Sequence, residues 1–153
     1  MVRILSVSFL ALFLLFQVTL SPAQPTRPEL LRSIAGLKWP TFHPFAGQIT
    51  NDIHCTTGYI NDREHYWITA AHCVLEVIGE DDKGRPVLRV SERAYNIAGS
   101  PAEVVATFAD NDIAILRTLV NTHGMKPLRL SKVNPTWATR VVILGYPFGQ
   151  GPV

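Results

Sequence analysis

The segment Trp67 to Cys73 places a histidine directly after an apolar, β-prone run. It reads Trp-Ile-Thr-Ala-Ala-His-Cys, which predicts a strand that runs into a turn of small residues. A general base for acyl transfer needs a rigid support, and an imidazole titrates near neutral pH, which suits the role. His72 is therefore a candidate general base, although a lone histidine at a strand end is more often a surface or structural residue.

A second candidate, Asp112, stands immediately before the β-prone run Ile113 to Arg117. A carboxylate that supports an imidazole accepts its other ring N–H, orients the ring and stabilises the cation that forms on protonation. Such a carboxylate is expected to be nearly buried. In isolation, the simpler interpretation is an Asx turn or a cap at the start of a strand, which Asp commonly supplies.

Together the two strings resemble those of a known family. Thr69 to Cys73 resembles the T-A-A-H-C motif of the trypsin-like (chymotrypsin-fold) serine proteases, and Asn111 to Arg117 resembles their N-D-I-A-L-L type segment. In that family these strings carry the histidine and the aspartate of the catalytic triad, in the same chain order. The resemblance implies that His72 is the general base and that Asp112 orients it.

The resemblance also implies a disulfide. Cys55 to Ile60 looks like the family strand that precedes the histidine motif, in which a cysteine partners the one after the histidine. Cys55 and Cys73 are the two cysteines of the sequence, and a bridge between them persists outside the cytosol. Closing a loop of this size stabilises a fold by about 3 kcal/mol in the chain-entropy treatment.

The segment Val141 to Gly149 is similar to the G-x-P-x-G segment of bacterial-type members, the HtrA-like and glutamyl-endopeptidase-like branches, where it opens the second barrel. Family members attack the peptide carbonyl with a serine in a G-[DN]-S-G-G type loop. The backbone N–H groups of this loop also form the oxyanion hole. The serines after the predicted signal all lack that setting: Ser91, Ser100 and Ser131, along with Ser33 in the leader. We therefore expect this chain alone to lack the nucleophile and not to hydrolyse peptides.

Short β-prone runs separated by turn residues predict an all-β fold. The resemblance implies the first six-stranded antiparallel Greek-key barrel of the chymotrypsin-like double barrel, with the second barrel missing apart from its first strand. We expect a leader at residues 24–45, the barrel at 46–138 and the start of the second barrel at 139–153, with a turn of helix at Ala71 to Val77. The predicted strands are Gly47–Asn51, His54–Ile60, Tyr66–Ala70, Val87–Ile97, Ala102–Ala109, Ile113–Arg117 and Arg140–Gly145.

The N-terminus predicts a secretory signal at residues 1–23. Arg3 is followed by the apolar run Ile4 to Phe16 and by small residues that favour cleavage after Ala23. The run is shorter than the roughly 20 residues of a spanning helix, so we expect a secreted protein, extracellular or periplasmic, with no stable membrane anchor. Apolar residues make up 47% of the sequence and the net charge is only +2, which indicates a globular protein and gives no reason to expect nucleic-acid binding.

Zinc is a competing interpretation, since two His-Cys pairs, His54-Cys55 and His72-Cys73, form a zinc-compatible set. Adjacent residues of a strand point to opposite faces, however, so four converging ligands are hard to build from two extended pairs. We expect no metal and no cofactor. His43, His65 and His123 are interpreted as solvated, Trp67 as a strand core residue, and Trp39 and Trp137 as packing residues near prolines.

The sequence favours a secreted trypsin-like serine endopeptidase in incomplete form, with a protein or peptide as substrate once a second barrel is supplied. An alternative is a non-catalytic secreted binding module built on the first barrel. A third is that a separate chain supplies the second barrel. A first barrel alone exposes the face that packs on its partner, which predicts possible self-association.

Overall fold

The computed structural model describes residues 26–120, 122, 124–141 and 143–146. A short helix, α1 (Arg27–Leu31), precedes eight strands, and two 3-10 helices, Ala71–Cys73 and Ala109–Asn111, connect strands. The strands are β1 (Ile34–His43), β2 (Gln48–Asn61), β3 (Tyr66–Thr69), β4 (Leu75–Glu80), β5 (Pro86–Val90), β6 (Tyr95–Ile97), β7 (Ser100–Phe108) and β8 (Ile113–Thr118).

Six of these strands form a closed barrel in the order β1-β2-β3-β8-β7-β6, and all the pairings are antiparallel. Closure arises because β3 pairs with β8 and β1 pairs with β6, so strands far apart in sequence lie side by side. Strands β4 and β5 form a separate hairpin. The predicted all-β class and the six-stranded antiparallel barrel of chymotrypsin-like type are thereby confirmed.

Large side chains from five of the barrel strands fill its interior. Leu37, Tyr59, Trp67, Ile97 and Leu116 are all fully buried. The ring centroids of Tyr59 and Trp67 are 4.7 Å apart, and the Trp67 indole N–H donates to Thr118 Oγ1 at 3.3 Å. Burial of aromatic and branched side chains at this density is the main favourable term for folding.

The first barrel strand lies in the segment that we expected to be a leader. β1 occupies Ile34–His43, inside residues 24–45, and its apolar pattern is interrupted by Gly36 and Pro40. β1 pairs with β6 only at Leu37 and Lys38, so Pro40 lies on a stretch with a single neighbouring strand. Proline is tolerated on such an edge, which explains how a proline-containing segment still forms a strand.

The other differences concern the ends of elements. The run expected as a single strand at Val87–Ile97 is divided into β5 and β6, which belong to different sheets: β5 pairs with β4, whereas β6 pairs with β1 and β7 in the barrel. The Ser91 N–H still donates to the Val74 carbonyl at 2.8 Å beside the β4–β5 pairing, and residues 91–94 form no strand. The expected turn of helix is the 3-10 helix Ala71–Cys73, after which β4 begins.

At the far end of the described chain, the residues described within 140–145 form no strand. Their neighbour Tyr146 is tied to β2 through its N–H, which donates to Thr56 Oγ1 at 3.0 Å. The predicted signal at residues 1–23 and most of the G-Y-P-F-G segment lie outside the described residues. Within the described ranges, no helix is long and apolar enough to cross a bilayer.

Candidate active site

His72 is presented by a tight turn at the end of β3. The strand ends at Thr69, and the 3-10 helix Ala71–Cys73 turns the chain back against the core, where Ala71 and Val74 are buried. The small side chain of Ala71 allows this close packing. The buried residues Ala71 and Val74 anchor the turn to the core. The His72 side chain projects outwards, with 73% of it exposed.

Asp112 lies next to His72 and directly precedes β8, the strand that pairs with β3. β3 pairs with β8, with Thr69 opposite Ala114, so the end of one strand lies beside the start of the other. Asp112 precedes β8 with φ 51° and ψ 44°, a left-handed conformation that Asp adopts at lower cost than most residues. Strand pairing therefore brings together two residues that are distant in sequence.

Three hydrogen bonds join the two turns. The His72 Nδ1 and the Asp112 Oδ2 are 2.7 Å apart, and the His72 backbone N–H donates to Asp112 Oδ1 at 2.9 Å. The Ala71 N–H donates to the Asp112 backbone carbonyl at 3.0 Å. An ionised carboxylate only accepts hydrogen bonds, so Nδ1 carries the proton and the lone pair of the neutral ring lies on Nε2.

The pKa of Asp112 lies below its ordinary value, chiefly because the His72 backbone N–H donates to its carboxylate and also because the His72 ring does so. The carboxylate is therefore ionised at neutral pH. Its side chain is 53% exposed, which corrects the expectation of a nearly buried acid. The reason is its position on the barrel rim, where the described part of the chain leaves it open to solvent.

We predict a pH dependence from this lowered pKa. A carboxyl whose pKa is lower in the folded state contributes stability above its unfolded pKa of about 3.9 and loses that contribution as the pH falls through the folded value. In carboxyl-detected NMR titrations, His72→Ala should raise the pKa of Asp112 only partly, since the backbone N–H remains.

A second surface pair provides the control for that titration. His43 Nε2 and Asp52 Oδ2 are 2.6 Å apart, and the pKa of Asp52 is lowered mainly by the hydrogen bond from the His43 ring. His43→Ala should raise the pKa of Asp52 and leave that of Asp112 unchanged. If the pKa of Asp112 were the same with and without the His72 ring, the ring would not contribute to the lowering.

A disulfide holds the histidine turn to β2. Cys55 Sγ and Cys73 Sγ are bonded at 2.09 Å, with Cα atoms 6.3 Å apart. Cys73 belongs to the 3-10 helix that carries His72, so the bridge restrains the position of the ring relative to β2. The predicted pairing of the two cysteines is confirmed.

We predict that the double variant Cys55→Ala/Cys73→Ala loses about 3 kcal/mol of unfolding free energy, within the usual 2–5 kcal/mol for a native bridge. Urea unfolding followed by tryptophan fluorescence measures this loss. The wild-type chain should lose a similar amount when reduced, whereas the double variant should not respond to the reductant. Equal stability of the oxidised wild type and the double variant would contradict the prediction.

The zinc set considered from the sequence is not assembled. One ring nitrogen of His72 and the sulfurs of Cys55 and Cys73 lie within 4.8 Å of one another, but disulfide sulfur is not available as a thiolate ligand. His54 is outside this cluster: its ring stacks on Trp39 at 3.8 Å, and its Nε2 is 2.9 Å from Thr41 Oγ1.

Two residues interpreted as solvated make contacts that the sequence did not predict. His43 pairs with Asp52 across the β1–β2 hairpin, and His65 Nδ1 is 3.4 Å from the hydroxyl of Tyr59. The alternation of β1 and β2, which places His43 and Asp52 on one face, could have indicated the first. Trp137 is 97% exposed, which corrects its interpretation as a packing residue.

None of the serines in the described ranges forms a hydrogen bond with the His72 ring. Ser33, Ser91 and Ser100 are buried, and the Ser131 hydroxyl donates to the Val133 carbonyl at 2.7 Å. The side-chain hydrogen bond of His72 in this part of the chain is the one with Asp112. Among residues 26–120, 122, 124–141 and 143–146, therefore, no serine is bonded to the candidate base.

A closed six-stranded antiparallel barrel with a His–Asp pair at its rim and a disulfide beside it defines a chymotrypsin-like barrel. The family model described as the trypsin-like peptidase domain matches residues 55–153, which is more than half of the chain. The protein therefore belongs to the trypsin-like peptidase domain family. A comparison with curated proteins finds no match. The bacterial-type branch suggested by the G-Y-P-F-G segment stays a prediction.

Proposed function

We propose that this protein is the His–Asp portion of a secreted serine endopeptidase, in which His72 is the general base and Asp112 orients it. The observation that carries the proposal is the 2.7 Å contact between His72 Nδ1 and Asp112 Oδ2, which leaves Nε2 free. The nucleophilic serine and the oxyanion donors would come from residues beyond this chain or from another chain.

In the proposed reaction, Nε2 of His72 removes the proton from the serine hydroxyl as its oxygen attacks the peptide carbonyl. The imidazolium that forms is stabilised by the Asp112 carboxylate and then donates its proton to the leaving amine, so that an acyl-enzyme remains. Water repeats the sequence and restores the serine. Asp112 stays ionised throughout, consistent with the lowered pKa of its carboxyl group.

Two features support secretion. The Cys55–Cys73 bridge is of the kind that persists in oxidising compartments, and residues 1–23 predict a cleaved signal. A disulfide in a trypsin-like domain fits an extracellular or periplasmic protein. The test is the N-terminal sequence of the protein recovered from culture medium or periplasm, which should begin at Gln24.

The catalytic proposal is tested by extending the reading frame past the codon for Val153 in the source DNA. We expect a G-x-S-G string downstream, and the longer product should cleave casein in a manner that a serine-directed covalent inhibitor abolishes. The inhibitor should label that downstream serine. Inhibitor-sensitive casein cleavage by the 153-residue chain alone would overturn the assignment of the nucleophile to residues outside it.

A second candidate is a non-catalytic binding module, favoured by a closed barrel with its own buried core. If the protein is a binding module, the source DNA should have a stop codon directly after the codon for Val153. The purified chain should be a monomer in analytical ultracentrifugation and should unfold cooperatively. The endopeptidase portion instead predicts self-association through an uncovered apolar face, because several large apolar side chains near the described C-terminal end are exposed. They are Leu130, Val133, Trp137, Val141 and Ile143.

A further inference from the structure

The side chains of the candidate His–Asp pair are mostly open to solvent. The His72 side chain is 73% exposed and that of Asp112 is 53% exposed, so packing by the described residues covers only a minor part of each. A reacting group must nevertheless stay within a fraction of an ångström of its productive position. The position of the imidazole therefore depends on how firmly the histidine turn, the 3-10 helix Ala71–Cys73, is attached to the barrel.

Strand pairing attaches the two sides of this turn unequally. On the β8 side, β3 is paired up to its last residue, with Thr69 opposite Ala114. On the β2 side, the pairing ends one residue earlier, with Ile68 opposite Gly58. Backbone pairing with β2 therefore stops before the turn is reached.

A side-chain hydrogen bond extends the attachment to β2. The Thr69 hydroxyl donates to the Thr56 backbone carbonyl at 2.8 Å. Thr69 is only 8% exposed, so water competes little for this bond. A β-branched side chain also has few χ1 rotamers, which makes the link stiff. The hydroxyl thus holds β3 to β2 where the backbone pairing has ended.

Two adjacent residues of β2 thereby hold both ends of the turn. Thr56 accepts the hydrogen bond from Thr69, which lies three residues before His72. Cys55 is bonded to Cys73, the residue directly after His72. Loss of either attachment would free one end of the turn and, with it, the backbone from which the imidazole projects.

We propose that Thr69 is a positioning residue for the candidate base. Its hydroxyl holds the turn against β2, so that Nδ1 of His72 stays on the Asp112 carboxylate and Nε2 keeps one direction. The effect on catalysis rests on the proposed function. The effect on the ring is a property of this chain and is measured without catalysis, so the two claims can fail separately.

The effect on the ring is tested on the 153-residue chain with Thr69→Val, which keeps the β-branched shape and removes the hydroxyl. Nitrogen-15 NMR of the neutral imidazole distinguishes a proton on Nδ1 from a proton on Nε2. The wild-type His72 should show the Nδ1-protonated tautomer, which the contact with Asp112 selects. In the variant the two nitrogen shifts should move towards each other, because the ring leaves the carboxylate for part of the time.

Thr57→Val is the matched control. The Thr57 hydroxyl donates to the Ala35 carbonyl at 2.9 Å, so this substitution removes the same kind of bond beside Thr56, but between β2 and β1. The urea midpoint should fall by a similar amount in Thr57→Val and Thr69→Val. The nitrogen shifts of His72 should nevertheless keep their wild-type values in the control.

The effect on catalysis is measured in the complete endopeptidase, the longer product or complex that contains the nucleophilic serine. Thr69→Val should lower kcat by about 10–100-fold, since a displacement of about 1 Å can cost a factor of about 100. KM should stay unchanged, as expected when only transition-state stabilisation is lost. Thr69→Ser keeps a hydroxyl donor and should restore most of the lost kcat, whereas Thr57→Val should retain the wild-type kcat.

Wild-type nitrogen shifts of His72 in folded Thr69→Val would overturn the proposal, as would equal changes in Thr69→Val and Thr57→Val. Near-ultraviolet circular dichroism shows whether each variant is folded. If Thr69→Val does not fold, the wild type provides the test: the Thr69 hydroxyl proton should exchange slowly enough with water to be seen by NMR, and exchange as fast as that of a free hydroxyl would overturn the proposal. Altered nitrogen shifts with an unchanged kcat would instead overturn the proposed role of His72 in catalysis.

Discussion

Replacing His72 with alanine should lower the kcat of the complete endopeptidase about 10⁶-fold, since removal of the base leaves the serine hydroxyl without a proton acceptor. The complete endopeptidase is the longer product, or the complex, that contains the nucleophilic serine. Asp112→Asn should lower kcat by about 10⁴-fold, because an amide N–H can donate to the ring and stabilise the wrong tautomer. Initial rates on a chromogenic peptide measure both effects.

The chain offers a matched control for both variants. His43 and Asp52 form a hydrogen-bonded pair of the same two residue types on the β1–β2 hairpin, with a 2.6 Å contact. His43→Ala and Asp52→Asn should leave kcat within about twofold of the wild type, since surface changes away from a site have small effects. If His72→Ala kept more than about 1% of wild-type kcat, His72 could not be the general base.

Replacing Trp67 with alanine should destabilise the barrel by 3–5 kcal/mol, the usual range for a buried tryptophan. Trp67 is 0% exposed in β3. Its ring packs on Tyr59, and its indole N–H donates to Thr118 Oγ1, so truncation leaves a cavity and removes that hydrogen bond. Because many domains have only 5–15 kcal/mol of stability, urea unfolding should show a greatly lowered midpoint.

Trp137→Ala is the control for this prediction, because the same side chain is removed from a position that is 97% exposed. Its effect on the unfolding free energy should be under about 0.5 kcal/mol. Circular dichroism follows both variants, so that the loss of one fluorophore does not bias the comparison. Equal effects of the two substitutions would show that Trp67 does not belong to the core that the structure describes.

Short sequence motifs were enough to predict most of the residues of the candidate site. The run around His72 and the aspartate before β8 each have residue types that suit one role, and the resemblance joined them into a pair. The cysteine pairing was predictable for the same reason. The exposure of Asp112 was not, because the burial of a rim residue depends on what packs over the rim rather than on its neighbours in sequence.

The strands were predicted less evenly than the site. β3 and β8 have continuous apolar patterns, and their positions agree with the prediction to within a residue or two. β1 was missed because Gly36 and Pro40 interrupt its pattern. Pro40 is acceptable in this strand because it lies beyond the two residues of β1 that pair with β6. β4 was missed because residues 77–80, most of the strand, are exposed in a separate hairpin, where burial imposes no period.

The sequence by itself determined the residue types of the site, the all-β class and the two sulfurs able to form a bridge, because these follow from side-chain chemistry and short-range pattern. The tertiary structure alone decided that β3 lies beside β8. That pairing sets the 2.7 Å contact between His72 and Asp112, since an interaction between residues far apart in the chain exists only once strand order and register are fixed.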